Sequence, residues 1–269
     1  RGVFGGKRQT FLMGGYFWYK SLLDGDEAEA YTEISSGLLS MEQEIKVPEL
    51  EYRRISEIYS MVKLDRPEIF YAAEPVYRSR MSSEHISVVP KYLFNEKQIS
   101  RMKEALSVRL ERILRPAFSL DEIKAVEFVR SFVFENVRYD KLEKNYSHEV
   151  YGVLSHGIGV CEGISKTVKL MLDRLGIESI VAIGSENEDH LRHAWNMINL
   201  HGKMKHYDLT FDLSRREKGL KPKYASMTDE AIFRDHNKPV FSYVRNTYDI
   251  YCYKGTCELR REKRTYHEI

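Results

Sequence analysis

Three features are scarce in this chain of 269 residues, and each scarcity argues against a class of protein. Charge of one sign is not in excess, because 42 Lys and Arg residues face 40 Asp and Glu residues, so the composition does not favour binding to nucleic acid or to a membrane surface. Only three cysteines occur, too few for a disulfide framework. No apolar run reaches about 18 residues, so we predict no transmembrane span.

The remaining composition is that of a chain with a sizeable core, since 42% of its residues are hydrophobic. Its length fits one large domain or two small ones. The first residue is Arg1 rather than Met, so an upstream signal peptide or anchor could have been removed. Both a cytoplasmic and an exported location therefore stay open.

Cys161 lies in a glycine-rich stretch, with Gly159 two residues before it and Gly163 two residues after it. Apolar residues then recur at helical spacing, at Ile164, Val168, Met171, Leu172 and Leu175. The pattern places Cys161 at or just before a helix N-terminus, where the helix dipole and free amide groups favour a thiolate nucleophile. The alternative is that Cys161 is a small buried apolar residue, the commoner state of a free cysteine.

Three strands are predicted after this helix, at residues 179–184, 193–200 and 203–211. His201 and Gly202 form a two-residue turn between the last two. In that register Trp195 faces Asp208 and His193 faces Thr210. One sheet face then carries His193, Trp195, His206, Asp208 and Thr210, and the other carries Ile198, Leu200, Tyr207, Leu209 and Phe211.

His193 and Asp208 become diagonal neighbours on one face in this register, with backbones roughly 7–8 Å apart, so that their side chains can form a hydrogen bond. A register slip of one residue would place them on opposite faces. Asp212 is the competing carboxylate, and we expect it to cap the strand end or bond the following turn. A thiol, an imidazole and a carboxylate together are the parts of an acyl-transfer site.

These blocks resemble the transglutaminase-like superfamily in its microbial form. The resemblance is carried by Gly159-Val160-Cys161-Glu162-Gly163, Leu175-Gly176-Ile177, His193-Ala194-Trp195-Asn196 and Tyr207-Asp208-Leu209-Thr210-Phe211-Asp212, and it covers roughly residues 120–213. It implies an α+β, papain-like fold in which a Cys-bearing helix packs on an antiparallel sheet. It also implies that Cys161 is the nucleophile, His193 the base and Asp208 the residue that orients the imidazole.

The resemblance implies acyl transfer or hydrolysis on protein or peptide amides through a thioester, of transglutaminase, amidase or protease type. The alternative is a non-catalytic module that binds proteins or peptides on the same fold. The β-sandwich domains and calcium loop of animal transglutaminases have no counterpart here, and we expect no metal or cofactor. The tryptophan that assists the oxyanion in those enzymes cannot be placed. Trp195, beside His193, is expected to line the cleft and contact substrate.

The N-terminal part, residues 1–118, is predicted to be a mostly helical subdomain. Apolar residues recur every three or four positions after Asp26, Glu49 and Asn95, which predicts three helices, the first ending only at Pro48 and the third capped by Asn95. Two short strands are predicted at 69–71 and 86–89.

Residues 119–269 are predicted to form the catalytic domain, whose first helix is capped by Ser119 with Glu122 in the capping-box position. Residues 240–253 resemble a strand. Near the end of the chain, Cys252 and Cys257 could form a bridge, bind metal or remain as two free thiols, because a single pair of cysteines at this spacing is weak evidence.

Overall fold

The computed structural model of the protein describes residues 15–79, 85–186, 191–236, 248–253 and 256–261. The helices are α1 (Trp18–Ser21), α2 (Gly25–Leu39), α3 (Tyr52–Asp65), α4 (Glu96–Leu114), α5 (Glu122–Asn136), α6 (Val150–His156), α7 (Cys161–Arg174), α8 (Leu209–Glu217) and α9 (Asp229–Ile232). The strands are β1 (Ile45–Pro48), β2 (Ala72–Ser79), β3 (His85–Tyr92), β4 (Arg138–Tyr139), β5 (Ile158–Gly159), β6 (Ser179–Glu186), β7 (Leu191–Leu200), β8 (Lys203–Tyr207), β9 (Tyr248–Tyr253) and β10 (Thr256–Arg261). A 3₁₀ helix spans Asn145–His148. The fold is of the predicted α+β class.

The central sheet contains β6, β7 and β8 in that order, all antiparallel. His201 and Gly202 form the turn between β7 and β8, with φ of 51° and 78°, as a two-residue hairpin of this kind requires. Leu200 pairs with Lys203, and Asn196 pairs with Tyr207. The predicted turn and register are therefore confirmed.

The predicted third strand is too long at its C-terminal end, because β8 stops at Tyr207. Asp208 is instead the N-cap of α8, and its side chain accepts a hydrogen bond from the backbone N–H of Phe211. Thr210 and Phe211 are helical, so the predicted strand pairs of Asp208 with Trp195 and of Thr210 with His193 are wrong. The physical reason is the cap, since an aspartate that satisfies a free amide of the first turn favours helix over strand.

Helix α7 packs against β6 and β7, as the Cys-bearing helix of the predicted fold should. Val168 and Met171 of the helix and Val181 and Ile198 of the sheet belong to one buried apolar cluster. Burial of each such side chain stabilises the fold by about 1.5–3 kcal/mol. A hydrogen bond from the Asn196 side chain to the carbonyl oxygen of Ser165, at 2.9 Å, also joins β7 to the helix.

The N-terminal part contains α1 to α4 and a second antiparallel sheet in the order β1-β3-β2. The predicted first helix is too long, because the observed helix α2 ends at Leu39 and Ile45–Pro48 form β1. Met41 has a positive φ of 59°, which breaks the helical path. The chain then folds back so that Ile45 packs directly on Gly37, where a Cβ would leave no room for it.

Two helix caps can be compared with their predictions. Asn95 and Gln98 form a capping box at the start of α4, so the predicted cap is confirmed. Ser119 is not the cap of α5, because Asp121 holds that position and its carboxylate accepts from the backbone N–H of Lys124 at 2.9 Å. The helix begins two residues later than predicted, where a carboxylate can also interact with the helix dipole.

The main core is one continuous cluster of buried apolar residues that extends from Tyr19 to Leu213. It includes Leu114 of α4 and Val126 of α5, on either side of the predicted boundary after residue 118. The division into two domains stays a prediction. Within the described part of the chain, no helix has both the length and the apolar character needed to cross a membrane.

Strands β9 and β10 form an antiparallel pair in which Cys252 and Cys257 are direct partners. The backbones of such partners are close enough for a disulfide to form. A bridge, a metal site and two free thiols all stay open. Residues 240–247 of the strand predicted at 240–253 lie outside the described residues.

Candidate active site

Cys161 is the first residue of α7, as the glycine-rich stretch predicts. Val160 before it is extended and forms the N-cap, and its backbone N–H donates to the carbonyl oxygen of Ser147 at 3.0 Å. Gly163 approaches the same carbonyl so closely that a Cβ there would overlap it. The start of α7 is therefore fixed against the 3₁₀ helix, with the Cys161 side chain partly exposed.

His193 lies on β7, buried, with only 2% of its surface exposed. Its Nε2 is 2.6 Å from Oδ2 of Asp208, a hydrogen-bond distance. A second hydrogen bond joins the imidazole to the thiol of Cys161. The structure thus brings the three predicted residues together in one hydrogen-bonded chain, in which the imidazole lies between sulfur and carboxylate.

The charges of His193 and Asp208 stabilise each other. Burial acts to lower the pKa of His193, but the charge of Asp208, its hydrogen bond and the hydrogen bond with Cys161 outweigh burial and raise that pKa from 6.5 to about 10. Burial would raise the pKa of Asp208, but the charge and hydrogen bond of His193 hold it well below its usual range. At neutral pH the pair is an imidazolium and a carboxylate.

Asp208 is held from more than one side. Its Oδ1 accepts from the backbone N–H of Phe211 at 3.0 Å, which leaves Oδ2 for the imidazole. Its own backbone N–H donates to the carbonyl oxygen of Tyr224 at 2.8 Å. The competing carboxylate, Asp212, has a different role, because its Oδ1 accepts from the backbone N–H groups of Lys223 and Tyr224. Asp212 lies within α8, so it neither caps a strand end nor bonds a turn directly after one; it holds the segment that follows the helix.

A cleft of about 280 Å³ opens over the thiol. Its walls come from the segment before α6, the start of α7 and the sheet: Tyr139, Glu143, His148, Val160, Cys161, Glu162, Ile183, His193 and Ala194. Both Cys161 and His193 reach it. A substrate group that enters the cleft would therefore meet the sulfur and the imidazole together.

Trp195 is fully buried and lies behind the imidazole. Its ring stacks on that of His193, with centroids 5.9 Å apart and planes 22° apart. Its Nε1–H donates to Nδ1 of His206 at 2.9 Å, and Nε2 of His206 lies 2.9 Å from Oδ1 of Asp229. Trp195 is absent from the cleft lining, so the prediction that it lines the cleft is wrong. Its observed contacts support the imidazole, and the predicted contact with substrate stays a prediction.

His236 is a member of the site that the sequence reasoning missed. Its Nε2 lies 2.7 Å from Oδ2 of Asp208, the same oxygen that His193 contacts. Its Nδ1 lies 2.8 Å from Oδ1 of Asp235. His236 and Asp208 are 28 positions apart in the chain, and no motif around His236 connects it to the hairpin. Only the tertiary fold brings it to the site.

Among the described residues, one group has ligand atoms close enough together to hold a metal ion. It consists of His193, Asp208 and His236, whose ligand atoms all lie within 4.8 Å of one another. The two ring nitrogens are 2.6 and 2.7 Å from a single carboxylate oxygen. Zinc lies about 2.0–2.2 Å from each such ligand and would hold these atoms farther apart. The geometry is therefore that of hydrogen bonds that share one acceptor.

Comparison with known proteins gives one family match. Residues 115–208 match the profile of the Transglutaminase-like superfamily. No curated protein sequence matches the chain. Among solved structures, the chain is similar to a TGase at 15% identity and a TM-score of 0.38, over 60% of this chain and 49% of the other.

Two further structures are similar over about half of this chain. One is a proposed cysteine protease from Cytophaga hutchinsonii, at 11% identity and a TM-score of 0.35, over 51% of this chain and 61% of the other. The other is a proposed protease from Parabacteroides distasonis, at 15% identity and a TM-score of 0.29, over 51% of this chain and 36% of the other. The alignments span less than two thirds of each of the three structures. The matched region, residues 115–208, is similar to the Transglutaminase-like superfamily and contains Cys161, His193 and Asp208.

Proposed function

We propose that this protein is a cysteine-dependent enzyme that acts on protein or peptide amides through a thioester. One observation carries the proposal: a single buried imidazole, that of His193, is hydrogen-bonded to the thiol of Cys161 and, at 2.6 Å, to the carboxylate of Asp208. That arrangement orients a base toward a nucleophile. A module that only binds needs none of these contacts.

The first step is attack by the sulfur of Cys161 on an amide carbonyl carbon. The proton of the thiol resides on His193, whose charged form Asp208 stabilises. As the C–S bond forms, negative charge develops on the carbonyl oxygen. The backbone N–H of Cys161 can donate to this oxyanion, because the first amides of a helix have no partner within the helix.

The second step is collapse of the tetrahedral intermediate. The C–N bond of the amide breaks, and the imidazolium of His193 gives its proton to the leaving amine. The acyl group remains on Cys161 as a thioester. Water or a primary amine then attacks the thioester, with His193 as the base, and the thiol is regenerated. Hydrolysis and transfer differ only in the group that attacks.

The shape of the cleft limits what can enter. Its volume of about 280 Å³ is near the lower end for ligand pockets, which are typically about 300–1,000 Å³. A single side chain or a short extended segment of a protein substrate fits that volume. We therefore propose a protein or peptide as substrate, presented to Cys161 through one amide at a time.

The decisive experiment is incubation of the purified protein with a biotinylated primary amine and a glutamine-rich protein, followed by mass spectrometry. Incorporation of the amine identifies a transferase, conversion of amide to acid identifies a deamidase, and chain cleavage identifies a protease. Cys161→Ala should abolish whichever product forms. Cys252→Ala, a substitution of another cysteine, is the matched control and should leave the product unchanged.

A non-catalytic binding module is the alternative outcome. It predicts no product from any of these substrates and no thioester on Cys161. The substrate protein would still bind, and Cys161→Ala would bind it equally well. Equal binding by both proteins, measured by calorimetry, together with no turnover would refute the proposed enzyme.

A further inference from the structure

The carboxylate of Asp208 serves two imidazoles through one oxygen atom. Oδ2 lies 2.6 Å from Nε2 of His193 and 2.7 Å from Nε2 of His236. All three side chains are essentially excluded from solvent. An ionised carboxylate only accepts hydrogen bonds, so both ring nitrogens donate to the same atom.

His236 is itself held firmly in place. Its other nitrogen, Nδ1, lies 2.8 Å from Oδ1 of Asp235. The second oxygen of Asp235 accepts from the hydroxyl of Tyr224 at 2.6 Å. The ring of Phe211 packs on the imidazole with centroids 4.5 Å apart, and Trp195 makes an edge contact at 5.2 Å. The imidazole therefore has one orientation, with Nε2 directed at Asp208.

We propose that His236 is a positioning residue that fixes the carboxylate of Asp208 and shares its Oδ2 with His193. This inference rests on the proposed function, in which His193 is the base. His236 lies outside the matched region, which ends at residue 208. It is absent from the cleft lining, so it acts on the site from behind, through Asp208 and through its ring contact with His193, with centroids 5.5 Å apart.

Because His236 and His193 share one oxygen of Asp208, loss of His236 should change the pKa of His193 in a definite direction. Two donors on one oxygen divide its negative charge, so each bond is weaker than it would be alone. Removal of His236 leaves the charge of Asp208 to His193, which favours the imidazolium. The pKa of His193 should then rise, by about one unit if a bond of ordinary strength is lost. If His236 served only as packing, its loss would leave the hydrogen bond between Asp208 and His193, and therefore that pKa, unchanged.

A test of this change in the pKa of His193 requires that the other charged and titratable groups near His193 and His236 stay the same. Those around His236 are Asp208, Asp235, Tyr224 and His193, with Lys223 next to Asp235. Those around His193, besides Asp208 and His236, are the groups that share its cleft, namely Cys161, Glu143, Glu162, His148 and Tyr139. A substitution at position 236 replaces none of these side chains, although it removes the charge of His236, which helps to lower the pKa of Asp235.

Two variants of His236 separate the roles of its two nitrogens. In His236→Gln the side-chain amide reaches the place of Nε2 and can still donate to Asp208. In His236→Asn the shorter amide matches Nδ1, so it can still reach Asp235 but not Asp208. The asparagine variant should lose about tenfold or more in kcat with little change in KM, because orientation of the base is affected and not substrate binding. The glutamine variant should recover most of the activity.

The closing experiment follows the ring of His193 by NMR during a pH titration of selectively labelled protein, with His193→Gln to assign the signal. We expect the titration midpoint of His193 in His236→Asn to lie about one unit above that of the wild type, and the midpoint in His236→Gln to lie near the wild-type value. An unchanged or lower value in the asparagine variant, or no difference between the two variants, would overturn the inference. The readout needs no turnover, so it can succeed even if the amide substrates of the proposed function are not accepted.

Discussion

Replacement of Asp208 by Asn tests the centre of the proposed mechanism. The substitution keeps the shape of the side chain and an oxygen that can accept from the N–H of Phe211, so the cap of α8 survives. It removes the negative charge that faces His193. Because the imidazolium is no longer stabilised, kcat should fall by about 10³–10⁴, as when the orienting aspartate of a serine protease is replaced by asparagine.

The same substitution should change how stability depends on pH. The pKa of His193 is raised from 6.5 to about 10 in the folded protein. A group with a raised pKa stabilises the fold fully below its unfolded pKa, and this contribution is lost as the pH rises through the folded value. The wild type should therefore lose stability between about pH 6.5 and pH 10, by on the order of 4 kcal/mol. In Asp208→Asn most of this loss should be absent.

The assay is urea unfolding of both proteins at about pH 6, 8 and 10, with steady-state kinetics on the same preparations. Tyrosines and other groups titrate in this range too, but they do so in both proteins and cancel in the difference. The free energies of unfolding should differ most at pH 6 and converge toward pH 10. A constant difference across this range, or unchanged turnover in the variant, would refute the ion pair as the basis of the site.

Three further predictions concern single residues. Cys161 should be alkylated by iodoacetamide faster than Cys252 or Cys257 at neutral pH, and equal rates for all three thiols in folded protein would remove the nucleophile assignment. Asp212→Ala removes the acceptor of two backbone N–H groups, so urea unfolding should show a free energy of unfolding lower by about 1–3 kcal/mol. Its kcat should stay within a few-fold of the wild-type value, whereas Asp208→Ala should lower kcat by orders of magnitude. Trp195→Phe should lower kcat more than it raises KM, because the ring is fully buried behind the imidazole; a raised KM at unchanged kcat would instead establish the contact with substrate.

The parts of the site that could be predicted from the sequence are those set by local rules. The turn at His201 and Gly202 has positive φ at both residues, and its length alone determines how β7 pairs with β8. The glycines around Cys161 and the apolar spacing after it were enough to place the thiol at the start of α7. Each signal involves residues that are neighbours in the chain.

The errors arose where a short segment satisfied two patterns. Residues 207–211 alternate like a strand, but Asp208 is also an N-cap, and short apolar runs do not distinguish the two. The cap prevailed because the side chain of Asp208 accepts the N–H of Phe211 and so begins α8. The hydrogen bond to His193 was nonetheless predicted correctly, because both geometries place Asp208 at the end of the same strand.

His236 could not have been found by such reasoning. It follows α9 and reaches Asp208 only because the segment after α8 returns to the sheet. That return is fixed by tertiary contacts: the bridge between His206 and Met227, and the bond from the Asp208 N–H to the carbonyl oxygen of Tyr224. No periodicity or spacing in the sequence encodes contacts of this range.

The proposed nucleophile and the proposed orienting carboxylate both lie at helix starts, which explains how a precise site forms from ordinary elements. Cys161 is the first residue of α7, and Asp208 is the residue before α8, so both stand at helix starts. The register of a helix start is set by its cap, and each of these starts is held by bonds to backbone elsewhere. A helix that began one residue later would turn its reactive side chain by about 100° around the axis. His193, on the middle strand between them, can contact both groups only if both starts lie where they do.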